Sequence, residues 1–292
     1  MSESITHTAI VDDVARIALY DPEICEPFKE VLDEHLDIAR LGGITRHGDR
    51  HNPKLLHLYR SEWEEKHDEV GPKLAFVLGW MSHRAADRRM KKVFRALDPD
   101  CDKSPTDCSV YNDVVCFREV YAAGHEEPYM KHALGSAEKG VSEAEELFHG
   151  MWRRMLIRMH TFIPGDDDIE AWLDNVIKFQ QEMRVDLQRY AKAFADPDPD
   201  KMRRFIEEPN FYDADDDIIR LARSLQQGEP EESIDLEEAL AAAAESADRA
   251  SQYAQMIARA FGYVRASSEY WHFQIDMEEL CDRLDIGLPE LA

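Results

Sequence analysis

AFVLGWMSHRAADRRM, residues 75–90, decides how the rest of the chain is read. Phe76, Trp80, His83, Asp87, Met90 and Phe94 recur at alternating spacings of four and three, the signature of a helix with one buried face. His83 and Asp87 stand one turn apart on that face, so an imidazole and a carboxylate project together from an otherwise apolar stripe. A carboxylate placed there must be paired, protonated or metal-bound, because burying an uncompensated charge is costly. The two ligand types suit zinc, iron or manganese. A His–Asp hydrogen bond, or pairing of Asp87 with an arginine, explains the same pattern without a metal. Gly79, one turn before His83, leaves room for another group to approach the imidazole.

The helical period persists outward from this segment, with Pro or Gly at the joints and few alternating β-branched runs. An all-α fold follows. Helices are predicted over residues 6–19, stopped by Asp21 and Pro22; over 22–40, ended by Gly42 and Gly43; over 72–97; and near 110–123. The stretch GGITRHGDRHN, residues 42–52, reads as a loop whose glycines permit a tight path. Ser142 with Glu145 forms a capping-box pattern for a helix through Ile163, and a further helix is predicted over 167–194. DPDPD at 196–200 is an acidic turn, and QQGEPEES at 226–233 is the best candidate boundary. The expected organisation is one multi-helix domain, 1–228, with a C-terminal helical extension, 229–292, that packs on it or mediates homo-oligomer formation. Tyr253, Met256, Ile257, Ala260 and Phe261 are that extension's apolar anchors.

The 292 residues include 60 acidic and 35 basic side chains, a net charge of −25 that repels nucleic-acid backbones and anionic headgroups and argues against tight nucleic-acid binding. MSESITHTAI has no basic segment leading into an apolar one, and no apolar run approaches the length of a membrane span. The five cysteines are scattered, odd in number and lack a CxxC pair, which fits a reducing compartment and disfavours a thiolate metal site. A cytoplasmic protein without a membrane span is the expectation.

Other metal-ligating residue types cluster along the chain. His7 aligns with Ile10, Val14 and Ile17, and His35 with Phe28, Val31, Leu32 and Ile38, which puts both on apolar helix faces. The loop offers His47, Asp49 and His51 at alternate positions. His125 is followed by Glu126 and Glu127, while Glu145 and His149 stand four apart on one predicted face.

The order of these elements resembles the zinc-dependent phospholipase C superfamily, whose relatives include zinc nucleases. HTAIVDDVARIAL resembles the family's opening helix with its histidine, here His7; LGGITRHGDRH resembles the loop with its aspartate, here Asp49; and GWMSHRAAD is the closest match, carrying His83 and Asp87. The likeness spans residues 1 to about 160. It implies a phospholipase C-like helical fold holding two or three zinc ions, with His7, Asp49, His51, His83 and Asp87 as ligands and Asp49 also catalytic. The family's later His/Glu pair is represented by His125 with Glu126, or by Glu145 with His149. It further implies metal-activated water that hydrolyses a phosphate ester. The acidic composition favours a small soluble phosphoester over a bilayer lipid. Two other readings stay open: an HD-type metal phosphohydrolase using His67 and Asp68, and a non-catalytic helical scaffold in which histidines close the core. His272 and Asp276 repeat the four-residue spacing near the C-terminus, an example of how readily that spacing arises without a metal.

Overall fold

Helix α5 (His67–Leu97) is the 31-residue axis on which the molecule is built. The computed structural model describes residues 4–45, 49–97, 106–121, 189–190, 192–245 and 250–288. His47, His125, Glu126, Glu145 and His149 lie outside them, as do the predicted helix from Ser142 and most of that over 167–194. All regular structure among the described residues is helical, and none of their helices is long and apolar enough to cross a membrane.

The apolar stripe does what its period demands. Leu74 through Trp80 are buried, as are Met90 and Phe94 further along. The helix begins at His67 rather than Pro72, which it accommodates one and a half turns in at the loss of one backbone hydrogen bond. Around α5 pack α1 (Ser4–Tyr20), α2 (Glu26–Glu34), α3 (Leu36–Ile44), α4 (Asn52–Glu62) and α9 (Gln252–Trp271). Beyond α1 lie α6 (Asp107–Glu119) and α7 (Asp217–Gln226). The turn Pro199–Met202 runs into π-helical Arg203–Glu207, and α8 (Leu236–Glu245) and α10 (Met277–Arg283) flank α9. α1 is buried on nearly every side over residues 5–15, as expected of a central helix. α9 is equally enclosed, and its anchors Tyr253, Met256, Ile257, Ala260 and Phe261 are spent inside this chain's own core.

The helix expected over 22–40 is instead two helices, broken at His35, whose backbone (φ −126, ψ 34) leaves the helical region. No Pro or Gly marks the break, so the residue pattern carried no signal for it. Gly42 and Gly43 do not open a loop either; both lie within α3. Their lack of a side chain serves packing. A Cβ on Gly42 would lie 2.1 Å from the carbonyl oxygen of Phe76, and one on Gly79 would lie 1.8 Å from that of Ala39. The two helices therefore meet backbone to backbone, and Gly79 admits α3 itself. Gly79→Ala should destabilise the fold by about 3 kcal/mol, the upper end for overpacking, because the clash is with backbone that cannot swing aside. Urea unfolding measures this, and a loss below about 1 kcal/mol would contradict the close approach.

Candidate metal centre

His7 owes its position to a carboxylate on another helix. Asp113 of α6 accepts hydrogen bonds from the backbone N–H groups of Ile5 (3.3 Å) and Thr6 (2.8 Å) and from the Thr6 hydroxyl (2.6 Å). A buried anion thus sits on the first turn of α1, where unsatisfied amides and the helix dipole favour it. Tyr190 donates to the same carboxylate at 3.1 Å. The next residue along is His7, 3% exposed and turned toward α5.

His83 is positioned by the close approach of α3 and α5. Its Nδ1 lies 3.0 Å from the carbonyl oxygen of Gly43, which accepts a hydrogen bond from the ring N–H. That bond selects the tautomer whose Nε2 carries the lone pair, the arrangement by which backbone carbonyls orient metal-binding imidazoles. The rings of His7 and His83 lie 4.3 Å apart between centroids, tilted by 31°.

Asp87, one turn beyond His83, completes the set. Its Oδ1 is 3.6 Å from His7 Nε2 and its Oδ2 3.6 Å from His83 Nε2. One donor atom from each residue falls within 4.8 Å of the other two. Ligands about 2.1 Å from a tetrahedral zinc are separated by roughly 3.4 Å, so a small contraction would bring the three onto one ion. Oδ1 of Asp87 is buried and makes no hydrogen bond. Burial by itself raises the Asp87 carboxyl, but the two imidazoles and Lys91 outweigh it and hold the group well below the usual carboxylate range. The carboxyl is therefore ionised at neutral pH. Lys91 Nζ, half-exposed at the mouth of the site, stands 3.4 Å from Asp87 Oδ2. Two imidazoles and one carboxylate could supply three ligands to an ion and would leave a fourth tetrahedral position to water or substrate.

Among the described residues, no other candidate joins this set. His51 lies in the single 3-10 turn Asp49–His51, next to α4 and α5, but offers no atom to the cluster. Asp49 shares that turn; its side chain lies outside the described residues. His35, half-buried at the α2–α3 break, faces Gly71 at the other end of α5, with Glu34 4.0 Å away. His67 and Asp68 are on the surface, where the imidazole pairs with Glu30 at 2.8 Å and packs edge-on against Trp63. His272 and Asp276 do not share a helix: His272 ends α9, and Asp276 caps α10 by accepting from the Glu279 N–H at 2.9 Å.

The sequence reading missed the buried carboxylates that lock the scaffold. Asp12 accepts from Arg40 (2.6 Å) and Tyr121 (2.8 Å); Asp13 accepts from Arg16 (2.7 Å), Tyr253 (2.9 Å) and Arg223. Two adjacent acids between Val11 and Val14 in an apolar helix were the available signal. No family model, no curated protein and no solved structure matches this chain, so the geometry described above is the basis for its functional reading.

Proposed function

We propose that this protein is a zinc-dependent hydrolase acting on a phosphate ester, with one ion held by His7, His83 and Asp87. The observation that carries the reading is the convergence of one imidazole from α1 with an imidazole and a carboxylate from α5 on one buried point, with a carboxylate oxygen left without a hydrogen bond. A mixed nitrogen and oxygen set suits zinc, and the described cysteines, Cys25, Cys108, Cys116 and Cys281, form no disulfide and lie outside that set. Bound zinc supplies a Lewis acid and a water acidic enough to ionise near neutrality. The chain's own groups do the rest. The Gly43 carbonyl orients His83, the Asp113 anchor at the start of α1 holds His7, and Lys91 offers positive charge at the mouth for an anionic substrate. The phosphoester class rests on the resemblance of GWMSHRAAD and its flanking elements to zinc phospholipases C and nucleases, which also supports a further ion near Asp49. A reducing, cytoplasmic setting agrees with the scattered cysteines.

The Asp87–Lys91 contact favours a second reading, in which the cluster is an ion-paired structural network and the protein a scaffold. Elemental analysis of tag-free protein separates the two. The proposal expects about one zinc per chain, hydrolysis of p-nitrophenyl phosphate or its bis-ester, loss of both on chelation and recovery with zinc. Stable, metal-free protein that takes up no zinc supports the scaffold and rejects the proposal.

A further inference from the structure

On a different face of α5 from Asp87, the same helix turns Arg88, Arg89 and Lys92 into a cleft of about 670 Å³ closed by α8 and α9. Arg259 enters from α9, and Arg265 and Arg283 stand on its rim. Six cations around one cavity are unexpected in a chain of net charge −25. Three are neutralised within the protein: Arg265 by Asp21 (2.8 Å), Arg283 by Glu269 (2.6 Å) and Arg88 by Asp285 (3.2 Å). The other three are not. Arg89, Lys92 and Arg259 have no carboxylate partner among the described residues, and Arg89 Nε is buried without a hydrogen bond. Burial, and then the nearness of Arg259, hold the Arg89 guanidinium below its ordinary value. Two neighbouring guanidiniums repel one another, and Glu237, the acid among the residues that line the cleft, is taken up by Arg265 at 2.5 Å.

The cleft's form gives a ligand class. Its volume lies within the range of small-molecule sites, and its walls combine the cations with Leu240, Ala241 and Phe261. Gly262 also lines the cleft, and a Cβ there would meet nothing within 4 Å. Guanidinium groups match phosphate oxygens in pairs and keep their charge when partly buried. We infer that this cleft binds a phosphorylated small molecule carrying at least two negative charges, its phosphoryl oxygens on Arg89, Arg259 and Lys92 and its organic part along the Leu240–Ala241 wall. The site is separate from the proposed metal centre and does not depend on it.

The test is calorimetric titration of metal-free protein with inorganic phosphate, inorganic pyrophosphate and adenosine triphosphate. Saturable binding of pyrophosphate and of the nucleotide at one equivalent is expected, with affinity falling roughly 10- to 100-fold in Arg89→Gln and in Arg259→Gln, as for loss of a hydrogen bond to a charged group. Both variants should melt no lower than the parent in the absence of ligand, because each removes repulsion. Gly262→Leu keeps every charge but adds a side chain to the lining of the cleft, and should weaken the nucleotide more than pyrophosphate. Asp87→Asn should bind both as the parent does. Absence of saturable binding, unchanged affinity in both arginine variants, or loss of binding in Asp87→Asn would each overturn the inference, the last by placing the anion at the metal centre.

Discussion

Asp87→Asn protein should purify with no zinc while Lys91→Met retains about one equivalent per chain. The contrast follows from the two roles available to Asp87. If its carboxylate holds a metal, replacing it by an amide removes a charged ligand from a three-ligand set. The loss in affinity should then exceed the 10- to 100-fold that follows removal of groups that merely orient ligands. Lys91 competes with the ion for Oδ2 from 3.4 Å away, so Lys91→Met should bind zinc at least as tightly as the parent. If the cluster is only an ion pair, neither substitution changes metal content, and losing a half-exposed lysine costs at most about 1 kcal/mol. Thermal unfolding gives a second readout. Free zinc at 100 times its dissociation constant adds about 2.7 kcal/mol to the folded state. That increment should be present in the parent and in Lys91→Met, and missing in Asp87→Asn and in His83→Ala. Equal zinc-induced shifts in Asp87→Asn and the parent would exclude the assigned ligand.

Arg223→Met should destabilise the protein by about 3 kcal/mol, although Arg223 lies in a different helix from every metal candidate. Asp13 is fully buried in α1, and its carboxylate is matched by Arg223, Arg16 and the Tyr253 hydroxyl. Burial works against the Arg223 charge, but Asp13 outweighs it and raises the guanidinium above its ordinary value. Burial, reinforced by Asp13, also pushes the Tyr253 phenol well up, so that it stays a donor at any physiological pH. Removing one partner of a buried pair leaves an uncompensated charge, at a typical cost of about 3–5 kcal/mol. The lower end applies because Arg16 remains at 2.7 Å. Asp13→Leu combined with Arg223→Met should recover part of the loss, since the buried carboxylate is removed together with its guanidinium; Arg16 and the Tyr253 hydroxyl, which also face Asp13, keep the recovery incomplete. Urea unfolding of the parent, both single variants and the double variant completes the cycle; a strictly additive result would show that the pair is not coupled.

The residues of α5 determine the helical class without reference to tertiary structure, because a period of 3.6 over Phe76, Trp80, Met90 and Phe94 is a property of neighbours along one chain. His83 and Asp87 belong together for the same reason: four residues apart on a helix, they share a face whatever the rest of the fold does. His7 on an apolar face was equally legible. What the chain order could not convey was which histidine meets which. His35 had the same apolar alignment as His7, yet the backbone break at that residue leaves it near Gly71, while Asp113, more than a hundred residues away in sequence, fixes the start of α1 and puts His7 over His83. Gly42 and Gly79 carry no side-chain pattern at all, and only the contact of two backbones shows that they let α3 and α5 touch and so bring the Gly43 carbonyl to His83. The cationic cleft has the same origin, since Arg89 and Arg259 are ordinary polar positions on their own helices until packing sets them face to face. Periodicity reports what a residue's near neighbours bury, whereas ligand sets and charge pairs are closed by side chains from distant segments, and their meeting is decided only when the helices pack.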